Sequence, residues 1–498
     1  MISKIKLVYL TLFISIAGLS SIIPQTKEKA NQISDETQSC IDCHESVTPG
    51  IVSDWKLSRH SHFTFQEALK KTPLEKRVSS KSVSDNLNRV VIGCYECHSL
   101  NTKNHADNFE HYGYSINVIV SPKDCSTCHI EEFEQYSGSK KAYALDNLRK
   151  NPVYSALVES IDGVKQVDKL NIKNLPASHY SKNETCYACH GTEVKVEGKK
   201  IIHTETDDIE VPKLTNWPNQ GVGRINPDGS YGACTACHPR HSFSIEVART
   251  PYTCGQCHLE PDVPAFNVYK ESKHGNIFDA RKDLWNWSTV PWVLGEDFNA
   301  PTCAACHNSL LTSASGDVIV NRTHDFGARL WVRIFGLIYS HPQPKSGKTY
   351  EIKNNDGLPL PTTFNDVKAS DFLLTKDEQA NRKAEMEKVC MSCHNTDWVE
   401  GHFEKFDNSV IEADKMVEAS TKLISEAWSQ KLADNKNPFD EAIEQRWIKQ
   451  WLFYANSVRY GSAMGGPDYA AFKNGWWELS NNLNEMHLMI RLMHNAKK

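Results

Sequence analysis

The sequence predicts a mainly α-helical protein in two regions, with loops and short helices over residues 31–395 and a bundle of long helices over 396–498. Three observations predict it. The 16 cysteines all fall into pairs of one fixed spacing. The stretches between pairs are rich in turn residues. Beyond His394 apolar residues recur with a period close to 3.6.

The cysteine pairs are Cys40/Cys43, Cys94/Cys97, Cys125/Cys128, Cys186/Cys189, Cys234/Cys237, Cys254/Cys257, Cys303/Cys306 and Cys390/Cys393. A histidine follows each at once: His44, His98, His129, His190, His238, His258, His307 and His394. Zinc ribbons use Cys-x-x-Cys knuckles but do not require a histidine directly after each. A disulfide framework would not hold to one spacing. Cys-x-x-Cys-His is the attachment signature of a c-type haem, in which both thiols bond to the haem and the histidine ligates its iron from the proximal side. Eight covalently bound c-type haems are therefore expected. They supply apolar filling and replace much of a side-chain core.

Taken in order, the chain opens with Lys4 and Lys6, a thirteen-residue apolar run Leu7–Leu19, and small residues at Ala17, Gly18, Ser20 and Ser21. This reads as a signal peptide over residues 1–30, with an uncleaved anchor as the alternative. Haem attachment outside the cytoplasm agrees with export, so a soluble periplasmic protein is expected. Prolines 122, 152, 176, 212, 218 and 227 punctuate the first region, and Asn226-Pro227-Asp228-Gly229 is a turn signal. Residues 317–321 and 349–353 alternate weakly and suggest a short hairpin. Lys376–Cys390 is rich in Ala, Glu and Lys and reads as a helix delivering the last motif. Helices follow over 408–432, from Asn437-Pro438 through Val458, and over 474–494, with Gly461, Gly465, Gly466 and Pro467 breaking the second from the third. Trp447, Trp451, Trp476 and Trp477 suit burial against another helix or another chain.

With 56 basic and 61 acidic residues the net charge is −5, which argues against a nucleic-acid partner. Thirteen of the 21 histidines lie outside the motifs. An electron-carrying haem is closed by a second side chain, whereas a haem that does chemistry keeps one iron position open. His60, His179, His241, His274 and His324 are candidates for that distal role, as are His105 and His111, between which the sequence does not choose. His402, His487 and His494 read as ordinary hydrogen-bonded residues.

The series of motifs, the run Ala233–Ser244 around Cys234 and His241, Ser272-Lys273-His274-Gly275, Trp285-Asn286-Trp287 and Ala300–His307 resemble the octahaem hydroxylamine oxidoreductase family, over nearly the whole chain. The resemblance implies a mainly α fold, a C-terminal bundle of long helices and a homotrimer. It implies that the fourth motif, Cys186–His190, holds the catalytic haem with His190 proximal. It also implies an Asp-His pair after the sixth motif, where Asp262 matches the aspartate and Val263 replaces the histidine. Oxidising members cross-link a tyrosine to the catalytic haem, and Phe472 stands at that position here, with Tyr469 three residues away.

A haem without that cross-link resembles the open site of multihaem nitrite reductases. The expected activity is reduction of nitrite, and of hydroxylamine, to ammonium, with Asp262 as proton donor. The electron source expected is a periplasmic or membrane quinol-linked cytochrome. Oxidation of hydroxylamine or hydrazine is the alternative within the class, and a non-catalytic electron conduit the alternative outside it.

Overall fold

The structure, a computed structural model, describes residues 32–169, 171–204 and 207–497. The leader read over residues 1–30 lies outside them.

Three of the eight motifs fold as single helical turns. Cys94–His98, Cys186–His190 and Cys303–His307 are five-residue helices, and Cys40 and Cys43 lie within the helix Asp35–Val47. Residues at i, i+3 and i+4 share one helical face, so a single turn presents both thiols and the histidine to the same side. The last motif ends the helix Lys376–Met391, which a capping box starts: Thr375 and Glu378 each accept the other's backbone N–H. Short β elements fill in between, mostly two-stranded antiparallel ribbons such as Lys195–His203 with Asp208–Thr215.

The hairpin expected between residues 317–321 and 349–353 does not form. Val318–Val320 pairs instead with Leu311–Thr312, which runs parallel to Trp292–Val293, and Thr349–Glu351 is a 3₁₀ turn. Weak alternation specified a strand but not its partner, and the nearer strand across the tight turn at Gly316 took it.

The C-terminal helices carry the side-chain core. Thr396–Ser429 runs for 34 residues, Ala442–Ile448 continues through a π-helical turn into Ala455–Met464, and Trp476–Lys497 closes the chain. Trp447 and Trp451 are 0% exposed with ring centres 5.9 Å apart. Trp477, 64% exposed, stays outside. Leu157, Leu337, Ile338, Tyr339 and Leu360 from the first region join the same core, so the bundle is packed onto the motif-bearing chain. Among the described residues no helix is long and apolar enough to cross a membrane.

Candidate functional site

Two imidazoles that bind one metal ion from opposite sides, each at about 2.0–2.1 Å, have ring centres roughly 6 Å apart. Four motif histidines face a second histidine at that spacing. His44 faces His111 at 6.2 Å, His129 faces His60 at 6.2 Å, His238 faces His324 at 6.5 Å, and His394 faces His274 at 6.2 Å. Each gap has room for one iron and the plane of a haem. His241 lies within electrostatic reach of His98. Burial lowers the pKa of most of these imidazoles, which keeps them neutral, as an iron ligand must be. Several donate the other ring nitrogen outward: His98 Nδ1 to the Asn117 carbonyl at 2.7 Å and His190 Nδ1 to the Ala144 carbonyl at 3.2 Å. That hydrogen bond orients an axial histidine. The residues present thus fit haem.

His105 does not serve as a distal ligand. Its Nδ1 lies 3.0 Å from Asp107 and its Nε2 3.2 Å from Asp124, with Asp228 at 4.0 Å. The bonds to Asp107 and Asp124 raise its pKa to about 10 against the opposing effect of burial. An imidazolium with both nitrogens engaged has no lone pair for iron. His111, six residues on, faces His44 instead. His179 is exposed, with Nδ1 2.9 Å from the Asn183 amide, and no motif histidine ring faces it among the described residues.

The motifs are not arranged in space as they are in sequence. Thiols of neighbouring motifs lie within hydrogen-bond reach for Cys40 and Cys94, Cys125 and Cys234, Cys189 and Cys257, and Cys254 and Cys303. Cys97 senses Cys128, Cys237 senses Cys254, and Cys306 senses Cys390. The run is therefore first, second, third, fifth, sixth, seventh, eighth. The fourth motif branches off the sixth.

No disulfide joins any of the 16 cysteines. They are not all enclosed by the chain, however. Thirteen are half-buried, whereas Cys43, Cys257 and Cys393 are exposed. Cys393 therefore departs from the picture of attachment thiols covered by protein. Two features leave it open. It lies past the end of the helix Lys376–Met391, whose Cys390 is half-buried, and its motif is the last of the run, with a neighbouring motif on one side only. The thiols within its electrostatic reach are Cys390 of its own motif and Cys306 of the seventh.

The fourth-motif branch carries a distinct set of groups. For that motif no facing histidine ring is found among the described residues. Asp262 lies within electrostatic reach of Cys186, Cys189 and Tyr460, and Arg333 within reach of His190, Tyr460 and His341. Asp262 keeps an accessible side chain. The protein around it nevertheless excludes enough water to push its carboxyl above the usual range, opposed by the backbone N–H groups of Asp262 and Val263. Burial likewise raises Tyr460, whose hydroxyl finds no partner among the described residues. Arg333 and His341 are cross-strand neighbours in the ribbon Val332–Arg333 with His341–Pro342. Arg333 donates Nε to the Phe335 carbonyl at 2.8 Å, and no acceptor among the described residues takes its outer nitrogens. His341 donates Nδ1 to the Pro342 carbonyl at 2.7 Å, and its buried Nε2 has no partner.

Sequence reasoning missed Arg333 and Tyr460. No motif marks either, and 143 and 270 residues separate them from His190. Phe472 is 70% exposed, whereas Tyr469 is buried with its hydroxyl bonded to Glu260 of its own chain.

Comparisons with known proteins agree with a multihaem reading of the motifs. A family model described as "Seven times multi-haem cytochrome CxxCH" matches residues 228–326, and one described as "Cytochrome c554 and c-prime" matches 124–211. A solved structure titled "Hypothetical multiheme protein" is 44% identical, superposes with a TM-score of 0.89, and aligns over 94% of this chain and 98% of its own. A "Probable nitrite reductase-hydroxylamine oxidoreductase fusion protein" of Kuenenia stuttgartiensis is 26% identical over 290 residues, 54% of this chain. The chain belongs to the multihaem c-type cytochromes. It spans about a quarter of that curated relative, 25% of its length. A "reducing HAO-like protein complex" of the same organism, at 18% identity over 93% of this chain and 86% of its own with a TM-score of 0.60, shares the fold. As a multihaem cytochrome of this family the chain carries covalently bound c-type haems.

Proposed function

We propose that this protein is an exported octahaem oxidoreductase that reduces nitrite, and hydroxylamine, to ammonium at the fourth motif. One observation carries the reading: the fourth motif branches off the sixth alone and has an acid, a phenol and a guanidinium close by, whereas four of the other motifs have a facing histidine ring.

When bound there, haem would supply the iron at which the substrate is reduced and the electrons for its reduction. His190 would hold that iron from the proximal side, its ring oriented by the Ala144 carbonyl. The outer nitrogens of Arg333 match an oxyanion in charge and geometry, so Arg333 holds nitrite beside the iron. Reduction of nitrite to ammonium and water consumes six electrons and eight protons. A carboxyl with a raised pKa retains its proton closer to neutrality and suits a general acid, and Asp262 takes that role. The Tyr460 hydroxyl is a second donor. His341, its Nδ1 proton committed to Pro342, presents Nε2 as an acceptor for an N–H or O–H of a partly reduced intermediate. Phenylalanine at 472 offers no phenol for a cross-link, which favours the reductive direction.

The electron donor is a quinol-linked periplasmic or membrane cytochrome, and the assembly a homotrimer, as the family suggests. The test is ammonium formation from nitrite with a reduced viologen. Ammonium in stoichiometric yield is expected, together with a high-spin signal from one haem in eight. Absence of any high-spin haem would overturn the reading, and so would rapid oxidation of hydroxylamine with no reductive turnover.

A further inference from the structure

Four segments that carry the proposed site meet at one buried ion pair in the C-terminal helices. Arg459 is 0% exposed, and its guanidinium is bonded to the Asp414 carboxylate. The same guanidinium donates to the Ile334 carbonyl at 3.1 Å, next to Arg333, and to Asn456 Oδ1 at 3.1 Å. Asn456, also 0% exposed, donates its amide to the backbone carbonyl of Asp262 at 2.9 Å. Asp414 accepts from the backbone N–H of Ser340 at 3.2 Å and from its hydroxyl, one residue before His341. Tyr460 follows Arg459 directly. The backbone at residues 262, 334 and 340, and the origin of the 460 side chain, are all referred to this pair.

A buried ion pair is weak evidence for stability, because desolvation offsets much of the attraction. Apolar side chains of similar volume would fill the space as well. They would not fix two carbonyls and an amide from three distant segments. We infer that Asp414, Arg459 and Asn456 are positioning residues of the active site: through them the C-terminal helices set the direction of the Asp262 carboxyl relative to Arg333, His341 and Tyr460. The inference rests on the function proposed above. It assigns to residues 414–460 a part in the reaction beyond packing. Near-contact geometry is stringent, and supporting hydrogen bonds of this kind typically change rates by about tenfold to a hundredfold.

The experiment is a double-mutant cycle on the haem-loaded protein. Asn456→Leu keeps the volume and removes both the donor to Asp262 and the acceptor for Arg459. It is compared with Asp262→Asn and with the double variant in viologen-driven nitrite reduction, kcat and KM being read separately. Asn456→Leu is expected to lower kcat about tenfold at unchanged haem content, and the double variant to be no slower than Asp262→Asn alone, since coupled residues are not additive. Effects that multiply, or a wild-type kcat in Asn456→Leu, would overturn the inference. If Asn456→Leu loses haem, Arg459→Lys, which retains the charge but not the fork, enters the same cycle under the same criteria. If the wild-type protein forms no ammonium, the proposed function fails, and positioning is then judged by cyanide binding to the open haem. A slower association in Asn456→Leu supports it, and an unchanged rate overturns it.

Discussion

His105 is the sharpest test of the structure, because the sequence left it equivalent to His111 and the fold makes the two opposites. Consider His105→Gln. In the native chain the imidazolium sits fully buried among Asp107, Asp124 and Asp228. It joins the segment after the second motif to the start of the third, since Asp124 precedes Cys125, and to the turn before the fifth. Its pKa rises from 6.5 to about 10, the hydrogen bonds to Asp107 and Asp124 outweighing burial. At 1.36 kcal/mol per pH unit that difference corresponds to on the order of 5 kcal/mol. Loss of one partner from a buried charged cluster typically costs about 3–5 kcal/mol. The folded-state pKa lies above the unfolded one. The stabilisation is therefore complete below about pH 6.5, and it is lost as pH rises through about 10. The assay is denaturant unfolding at pH 6, 8 and 10.5, followed by far-ultraviolet dichroism. His105→Gln should lose several kcal/mol at pH 6, with the gap to wild type narrowing toward pH 10.5, and the folded variant should gain no high-spin haem beyond that of the wild type. A new high-spin haem in His105→Gln, or a stability gap independent of pH, would refute the reasoning.

Other substitutions test other contacts. His111→Ala should open the iron at His44 and add one high-spin, ligand-binding haem to the electron-paramagnetic-resonance spectrum, with little change in stability above pH 6. Asp262→Asn should lower reductive kcat by about 10²–10⁴, the range for a lost general acid. In the wild type the rate should fall as pH rises through the raised pKa of Asp262, and the variant should lose that dependence, as a kcat–pH profile will show. Arg333→Gln should raise KM for nitrite more than for uncharged hydroxylamine, because only the anion uses the guanidinium charge, as steady-state kinetics on both substrates would show. Trp447→Phe should be more destabilising than Trp451→Phe by roughly 1–3 kcal/mol in urea unfolding. The first loses a 3.0 Å bond from Nε1 to Thr421, and the second removes a buried indole N–H that has no acceptor.

What the sequence determined by itself is local. Cys-x-x-Cys-His is complete within five residues, so all eight copies of the motif could be read directly. Apolar period is also local, and the last helix, expected over 474–494, came out within a few residues of its ends, whereas the one expected over 408–432 starts twelve residues earlier, at Thr396. Asp262 was singled out through the family resemblance alone. What the tertiary structure decided is which of these features meet. The fourth motif lies off the line of the others because its thiol approaches the sixth and not the third or fifth. How far the chain covers each thiol is equally a matter of packing: Cys390 and Cys393 belong to one motif, and only the second is exposed. Asp107 stands two residues from His105 in sequence, but the approach of Asp124 from the third-motif segment, which engages the second ring nitrogen, is set by the fold. Arg333, Tyr460 and the Asp414–Arg459 pair carry no spacing signature, since a hydrogen bond or an electrostatic contact depends on separation in space. The chain closes those separations by packing the helices after residue 396 against the ribbon at 332–342 and the turn at 262.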